Sequence, residues 1–155
     1  MEIELTVNGE QVQASVSVRT NLVDFLREEL GLTGSHIGCE QGVCGACTIE
    51  VNGSMVRSCL MLAVQADGAV ITTIEGYGHR PVGQKLQSAF VKHNALQCGF
   101  CTPGMLASGI EYIEQGGDAD RDSIRRHLSG NYCRCTGYQS IVDAVVSVSE
   151  QESGK

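Results

Sequence analysis

Hydrophobic and polar positions change period partway along this chain. Ile3, Leu5 and Val7 alternate with Glu2, Glu4 and Thr6, the period-two pattern of a strand with one buried face. Asn8-Gly9 follows, a pair that accepts the positive φ values of a type I′ hairpin turn, and Val12, Ala14, Val16 and Val18 predict the returning strand. The period then lengthens. Leu22, Phe25, Leu26 and Leu30 fall on one face of a short helix, with Thr20 or Asn21 to cap it and Gly31 to stop it. A glycine-rich loop over 34–47 comes next, then a strand over 48–51, a second hairpin turn at Asn52-Gly53 and a partner strand over 54–58. One further strand is predicted over 70–74. Together these elements describe a small mixed sheet packed on one helix.

Beyond 76–81 (GYGHRP), which reads as a linker, the pattern is helical. A helix is expected over 83–93. Another runs over 102–115, with Thr102 as its cap, Pro103 at its first position and Gly116-Gly117 after it. Asp120 or Asp122 caps a shorter helix that ends near Gly130. Ile141, Ala144, Val145 and Val148 share one side of a last helix over 139–149, and the tail 151–155 is expected to fray. Met105 and Leu106 are core candidates. The fold class is therefore α+β, with a bundle of four helices after the sheet. The division falls between 1–76 and 77–155.

A formal charge of −7 argues against nucleic acid, whose phosphates need clustered Lys and Arg. Apolar residues are 42% of the chain, enough for a packed core, yet no apolar run approaches the roughly 18–20 residues of a membrane span. The first residues, MEIELTVNGE, lack the basic and apolar regions of an export signal, so a soluble cytoplasmic protein is expected. In a reducing compartment, thiols persist as thiols or metal ligands rather than disulfides. That bears on eight cysteines, which fall into two groups of four.

Cys39, Cys44 and Cys47 follow the spacing C-x4-C-x2-C, with Cys59 after eleven more residues, the plant-type ferredoxin pattern. One tight loop can wrap an iron–sulfur core and supply three thiolates, and a neighbouring strand brings the fourth. Gly38, Gly42 and Gly45 permit the wrapping and let backbone N–H groups approach sulfur. A four-cysteine zinc site more often joins two C-x2-4-C knuckles from separate hairpins, which fits poorly here. Cys98 and Cys101 form a C-x2-C pair just before a helix start, and Cys133 and Cys135 a C-x-C pair between two helices. This second set suits either an iron–sulfur cluster or zinc, and C-x2-C is also a redox dithiol motif. Arg134 lies between two of these cysteines, where it offsets cluster charge or faces a partner. Phe100 and Tyr132, beside candidate ligands, either shield a cluster or simply pack. His36, His79, His93 and His127 are scattered, and eight cysteines already fill two four-thiolate sites.

The segments GCEQGVCGACTIEVNG, SCL at 58–60, QCGFCTPG at 97–104 and GNYCRCTGY at 130–138 closely resemble the small iron–sulfur subunit of molybdenum hydroxylases. That family includes xanthine dehydrogenase, aldehyde oxidoreductase and carbon monoxide dehydrogenase. The likeness spans about residues 2–150 and all eight cysteines match its ligand motifs. It implies a plant-ferredoxin-like β-grasp domain, then a four-helix domain, each holding one 2Fe–2S cluster. It also implies a large partner subunit with a molybdopterin dinucleotide, of cytosine in most bacterial members, and in many cases a medium FAD subunit. The 98/101/133/135 cluster would lie nearer molybdenum and the 39/44/47/59 cluster nearer flavin or the surface. Gln97 and Cys135 match positions that contact the pterin in relatives. On this resemblance the chain is the electron-transfer subunit of a multi-subunit oxidoreductase, with no substrate-converting residues of its own. A free two-cluster ferredoxin and a zinc-binding interaction module are the competing readings.

Overall fold

In the computed structural model, which describes residues 1–154, the N-terminal alternation becomes strand β1 (Glu2–Val7) with Ile3, Leu5 and Val7 buried. Strand β2 (Glu10–Ser15) pairs with it antiparallel, and the turn between them has Asn8 at φ 53° and Gly9 at φ 88°. Strands β3 (Thr48–Val51) and β4 (Ser54–Arg57) form the second hairpin, with Asn52 and Gly53 also at positive φ. Strand β5 (Val70–Thr72) lies parallel to β1 and antiparallel to β3, giving the sheet order β2-β1-β5-β3-β4. Leu22, Phe25 and Leu26 pack onto this mixed sheet with Ile49, Val51 and Ile71.

Three details of the first half differ from the sequence reading. Strand β2 ends at Ser15. Val16 is still buried, its N–H on the Met1 carbonyl at 2.9 Å, but β1 has no residue left to pair beyond, and Val18 is 58% exposed. The expected single helix is a short turn, α1 (Leu22–Asp24), continued by a π-helical turn over Phe25–Glu29. Leu30 and Leu32 both pack on the sheet core, and Gly31 between them has φ 67°. Strand β5 stops at Thr72 because the first hairpin turn captures the next residue: Asn8 Oδ1 accepts the Thr73 N–H and Asn8 Nδ2 donates to Thr73 Oγ1, each at 2.9 Å.

The expected linker is a packed seam instead. Helix α2 (Ile74–Tyr77) buries Tyr77 completely, and the Arg80 guanidinium lies 5.4 Å from its ring centroid. Arg80 is bidentate to Glu50 on β3 and reaches Glu114 at 3.2 Å. Helices α3 (Pro81–Lys92), α4 (Thr102–Glu114), α5 (Arg121–Leu128) and α6 (Gln139–Ser153) share one core. It contains Leu86, Phe90, Met105, Leu106, Ile110 and Val145.

Asp120 caps α5 by accepting the Ser123 N–H at 2.8 Å. The cap position of α4 is Cys101 rather than Thr102, which is the first helical residue, with its hydroxyl buried and unpartnered. Residues 151–153 continue α6, tied down where Lys85 meets Glu152, so the fraying expected there does not occur; Lys155 lies outside the described residues. Among the described residues no helix is long and apolar enough to cross a membrane.

Candidate metal centres

The loop before β3 turns back on itself through Glu40, Gly42 and Gly45, all at positive φ. Its path aims N–H groups at sulfur: Cys39 Sγ accepts from Gln41 N at 3.4 Å and from Cys44 N at 3.5 Å. These donors, Gln41 first, bring the Cys39 thiol down to about 6, so it favours the thiolate, the form a metal would need. Cys39 and Cys44 are half-buried and within hydrogen-bond reach of each other. Cys47 and Cys59 form an inner pair, packed with Val23 and Ile37. The hydroxyl of Ser58 donates to the Cys47 carbonyl at 2.7 Å and ties the two segments together. Burial first, then contact with Cys47, pushes the Cys59 thiol up to about 11. A bound metal would have to displace that proton.

The second quartet repeats this arrangement on different elements. Cys98 and Cys101 flank Gly99, which has φ 80°, at the N-terminus of α4, and Cys133 and Cys135 stand in the loop between α5 and α6. Cys98 and Cys135 are exposed with their sulfurs 3.5 Å apart. Cys101 and Cys133 form the inner pair. Burial first, then the hydrogen bond with Cys133, pushes Cys101 up to about 12. Burial raises the Cys133 thiol, but the hydroxyl of Thr136 at 3.0 Å and its N–H at 3.4 Å outweigh this and leave it lowered. Contact with Cys98 raises Cys135. The Cys133 N–H donates to the Tyr138 hydroxyl at 3.0 Å, and Tyr138 itself takes the left-handed conformation at φ 68°.

Among the described residues no three His, Cys, Asp or Glu side chains are grouped to hold a metal ion; the thiols stand two by two. A single zinc needs four donors around one point at about 2.3 Å. A 2Fe–2S core takes two terminal thiolates on each of two irons, and an outer and an inner pair per quartet match that demand. The donor set fits the group: four thiols in each quartet, and N–H or O–H donors to sulfur in both.

The structure brings Gln97 and Cys135 together, with Gln97 Nε2 donating to the Cys135 carbonyl at 3.2 Å on an exposed edge. Arg134 is exposed. Phe100 stacks on His36 with ring centroids 4.7 Å apart, and its ring also flanks Gly38 beside Cys44. Tyr132 is 57% exposed. His127 meets Glu111 at 3.2 Å, while His79 is exposed and His93 half-buried.

Residues other than the cysteines join the two quartets. The Tyr132 N–H, next to Cys133, donates to the Cys44 carbonyl at 2.8 Å. Asn131 is buried and donates to Gly45 O at 3.2 Å, while its own carbonyl accepts from the Ser108 hydroxyl at 3.0 Å. The His36 ring nitrogen Nδ1 lies 2.8 Å from the Phe100 carbonyl. Arg57 carries no sequence signal of this role, whereas Asn131 and Thr136 lie inside the GNYCRCTGY segment.

Two family models match the chain. One, described as a 2Fe–2S iron-sulfur cluster binding domain, covers residues 5–71; the other, described as a 2Fe–2S binding domain, covers residues 73–146. The chain is 52% identical over 152 residues to the caffeine dehydrogenase subunit gamma of Pseudomonas sp. (strain CBB1), spanning 95% of this chain and 90% of that one. It is 48% identical over 155 residues to the nicotine 6-hydroxylase small subunit of Paenarthrobacter nicotinovorans, spanning 100% and 93%. Among solved structures, a chain of quinoline 2-oxidoreductase from Pseudomonas putida 86 superposes with a TM-score of 0.91 at 49% identity, covering 99% of this chain and 96% of that one.

Proposed function

The chain belongs to the small iron–sulfur subunits of the molybdenum hydroxylases, and from that membership we propose that it relays single electrons between a molybdopterin centre and an acceptor. It is the iron–sulfur subunit of a multi-subunit molybdenum-containing oxidoreductase. In our reading Cys39, Cys44, Cys47 and Cys59 hold one 2Fe–2S cluster within residues 1–76. Cys98, Cys101, Cys133 and Cys135 hold the other within residues 77–155, which we describe as a four-helix bundle. Separate hydrophobic cores in the two parts support the division. Each cluster, when bound, supplies one-electron acceptance and release.

The residues divide the remaining work. Buried thiols at Cys47, Cys59 and Cys133 exclude water from the inner side of each site. The donors on Cys39 and Cys133 stabilise negative charge at sulfur. Gln97 and Cys135 form the exposed edge that faces the molybdopterin dinucleotide, of cytosine, on the large subunit. The half-exposed Cys39 and Cys44, with Val43 and Leu60 exposed beside them, face an FAD-bearing medium subunit or an external acceptor. No disulfide joins any of the eight cysteines, which suits cytoplasmic residence. The names of the relatives near half identity (caffeine, nicotine, quinoline) favour a nitrogen heteroaromatic as the substrate hydroxylated with oxygen from water.

One observation carries the relay reading: the loops of the two quartets are joined directly, through the Tyr132 N–H on the Cys44 carbonyl. A free ferredoxin fits less well. Val43, Leu60, Leu96, Phe100, Tyr132 and Tyr138 are exposed around the cysteine loops, an apolar surface that suits lasting partners. Purification of the native chain tests the reading. A molybdenum-containing large subunit should accompany it, and dithionite should reduce two distinct EPR-active centres; a chain that purifies alone with full electron-carrier activity would refute it.

A further inference from the structure

Arg57 ends β4 two residues before Cys59, and its side chain turns back into the seam between the two quartets. Its nitrogens engage three segments. Nε donates to the Gly42 carbonyl at 3.4 Å, between Cys39 and Cys44. Nη1 donates to Thr48 Oγ1 at 2.5 Å, directly after Cys47, and Nη2 to the Gly130 carbonyl at 2.8 Å, three residues before Cys133. A planar guanidinium presents its donors in a rigid fork that spans separated acceptors, whereas the three donors of an ammonium rotate about a single nitrogen.

The charge has no evident counter-ion. Among the described residues no carboxylate stands in an ion pair with Arg57, whereas Arg80, the other arginine across the two parts, is held by Glu50 and Glu114. A half-buried cation surrounded only by neutral acceptors is costly unless negative charge lies close by. Each cysteine quartet would supply such charge once it held a cluster, and Arg57 bonds directly to the loop between Cys39 and Cys44 and to the one leading to Cys133.

Resting on the two-cluster reading above, we propose that Arg57 is a positioning residue shared by both sites. Its fork fixes the 42–48 loop against the loop that carries Cys133. Its uncompensated charge favours the arrival of an electron, which adds one negative charge, at the 39/44/47/59 site.

The test uses the assembled enzyme with Arg57→Gln and Arg57→Lys, read by EPR-monitored redox titration and by iron and acid-labile sulfide content. In Arg57→Gln the reduced-to-oxidised ratio of the first site at a fixed potential should fall about tenfold, a shift of about 59 mV for one electron. The second site should move less, because only Gly130 ties it to the guanidinium. Arg57→Lys keeps the charge and loses the fork, so it should hold the first-site potential near the wild-type value while amide exchange in the 42–48 loop quickens. An Arg57→Gln enzyme with full iron and sulfide and an unmoved first-site potential would overturn the proposal. If Arg57→Gln fails to assemble the first site, Arg57→Lys decides: restored potential supports the proposal, and a defect equal to that of Gln defeats it. Wild-type enzyme lacking iron and sulfide would instead remove the two-cluster reading beneath it.

Discussion

Gly45 is a point of tight contact between the loops of the two quartets, so adding one methyl there measures how firmly they are joined. It is buried at φ 76°, and a Cβ on it would stand 2.6 Å from the Gly130 carbonyl oxygen and 2.8 Å from the Asn131 amide. Ordinary contact begins near 3.4 Å. Gly53 is a matched control, with φ 79° and nothing within 4 Å of its Cβ position. Both alanine variants carry the left-handed backbone cost of about 1–2 kcal/mol. Gly45→Ala must also move a backbone carbonyl, about 1–3 kcal/mol of overpacking. It further strains the Asn131–Gly45 and Tyr132–Cys44 hydrogen bonds, about 1 kcal/mol each. An excess of about 3–5 kcal/mol over Gly53→Ala follows, or about 6–20 °C in melting midpoint for a chain of this size. Thermal melts of the purified complex, followed by cluster absorbance, read this difference. Magnetic interaction between the reduced centres should weaken in Gly45→Ala alone. If both variants melt within about 2 °C of each other with unchanged interaction, the seam is not the tight junction described.

Cys101→Ser should remove the EPR signal of the second centre, spare the first, and slow turnover with an external acceptor; retention of both signals and full activity would refute the ligand assignment. The Tyr112 phenol is pushed up to about 12, by burial first and by its hydrogen bond to Asp118 second. The folded chain therefore keeps a proton that the unfolded chain releases near pH 10, so this contribution is whole below pH 10 and is lost as pH rises toward 12. Tyr112→Phe should cost about 0.5–1.5 kcal/mol at pH 8 in a urea titration, with the gap to wild type closing above pH 10; a gap constant to pH 11 would contradict it.

What the sequence made legible was local. The Asn-Gly turns, the alternating β1, the proline-led helix over 102–115 and the cysteine spacings each act through neighbouring residues, and the structure places them close to expectation, whereas Pro81, assigned to the linker, in fact starts α3. The misses depend on distant partners. Tyr77 reads as part of a linker until Arg80, Glu50 and Glu114 close over it. Strand β5 ends early because Asn8, 65 residues away, takes the N–H of Thr73. The π-helical turn at Phe25–Glu29 has no period that apolar spacing could reveal, since Leu30 and Leu32 both find the core. At the candidate centres the grouping of the eight cysteines into two quartets was readable from C-x4-C-x2-C and the two later pairs. Their sorting into outer and inner thiols was not, and neither was the seam of Arg57 and Asn131, whose partners lie 73 to 86 residues off.

The measurement that bears most directly on this account is the iron and acid-labile sulfide content of the complex isolated without oxygen, taken together with its reduced EPR spectrum. The account predicts two irons and two sulfides for each cysteine quartet and two separable one-electron signals. A colourless preparation holding zinc, or iron sufficient for only one quartet in fully matured material, would contradict it.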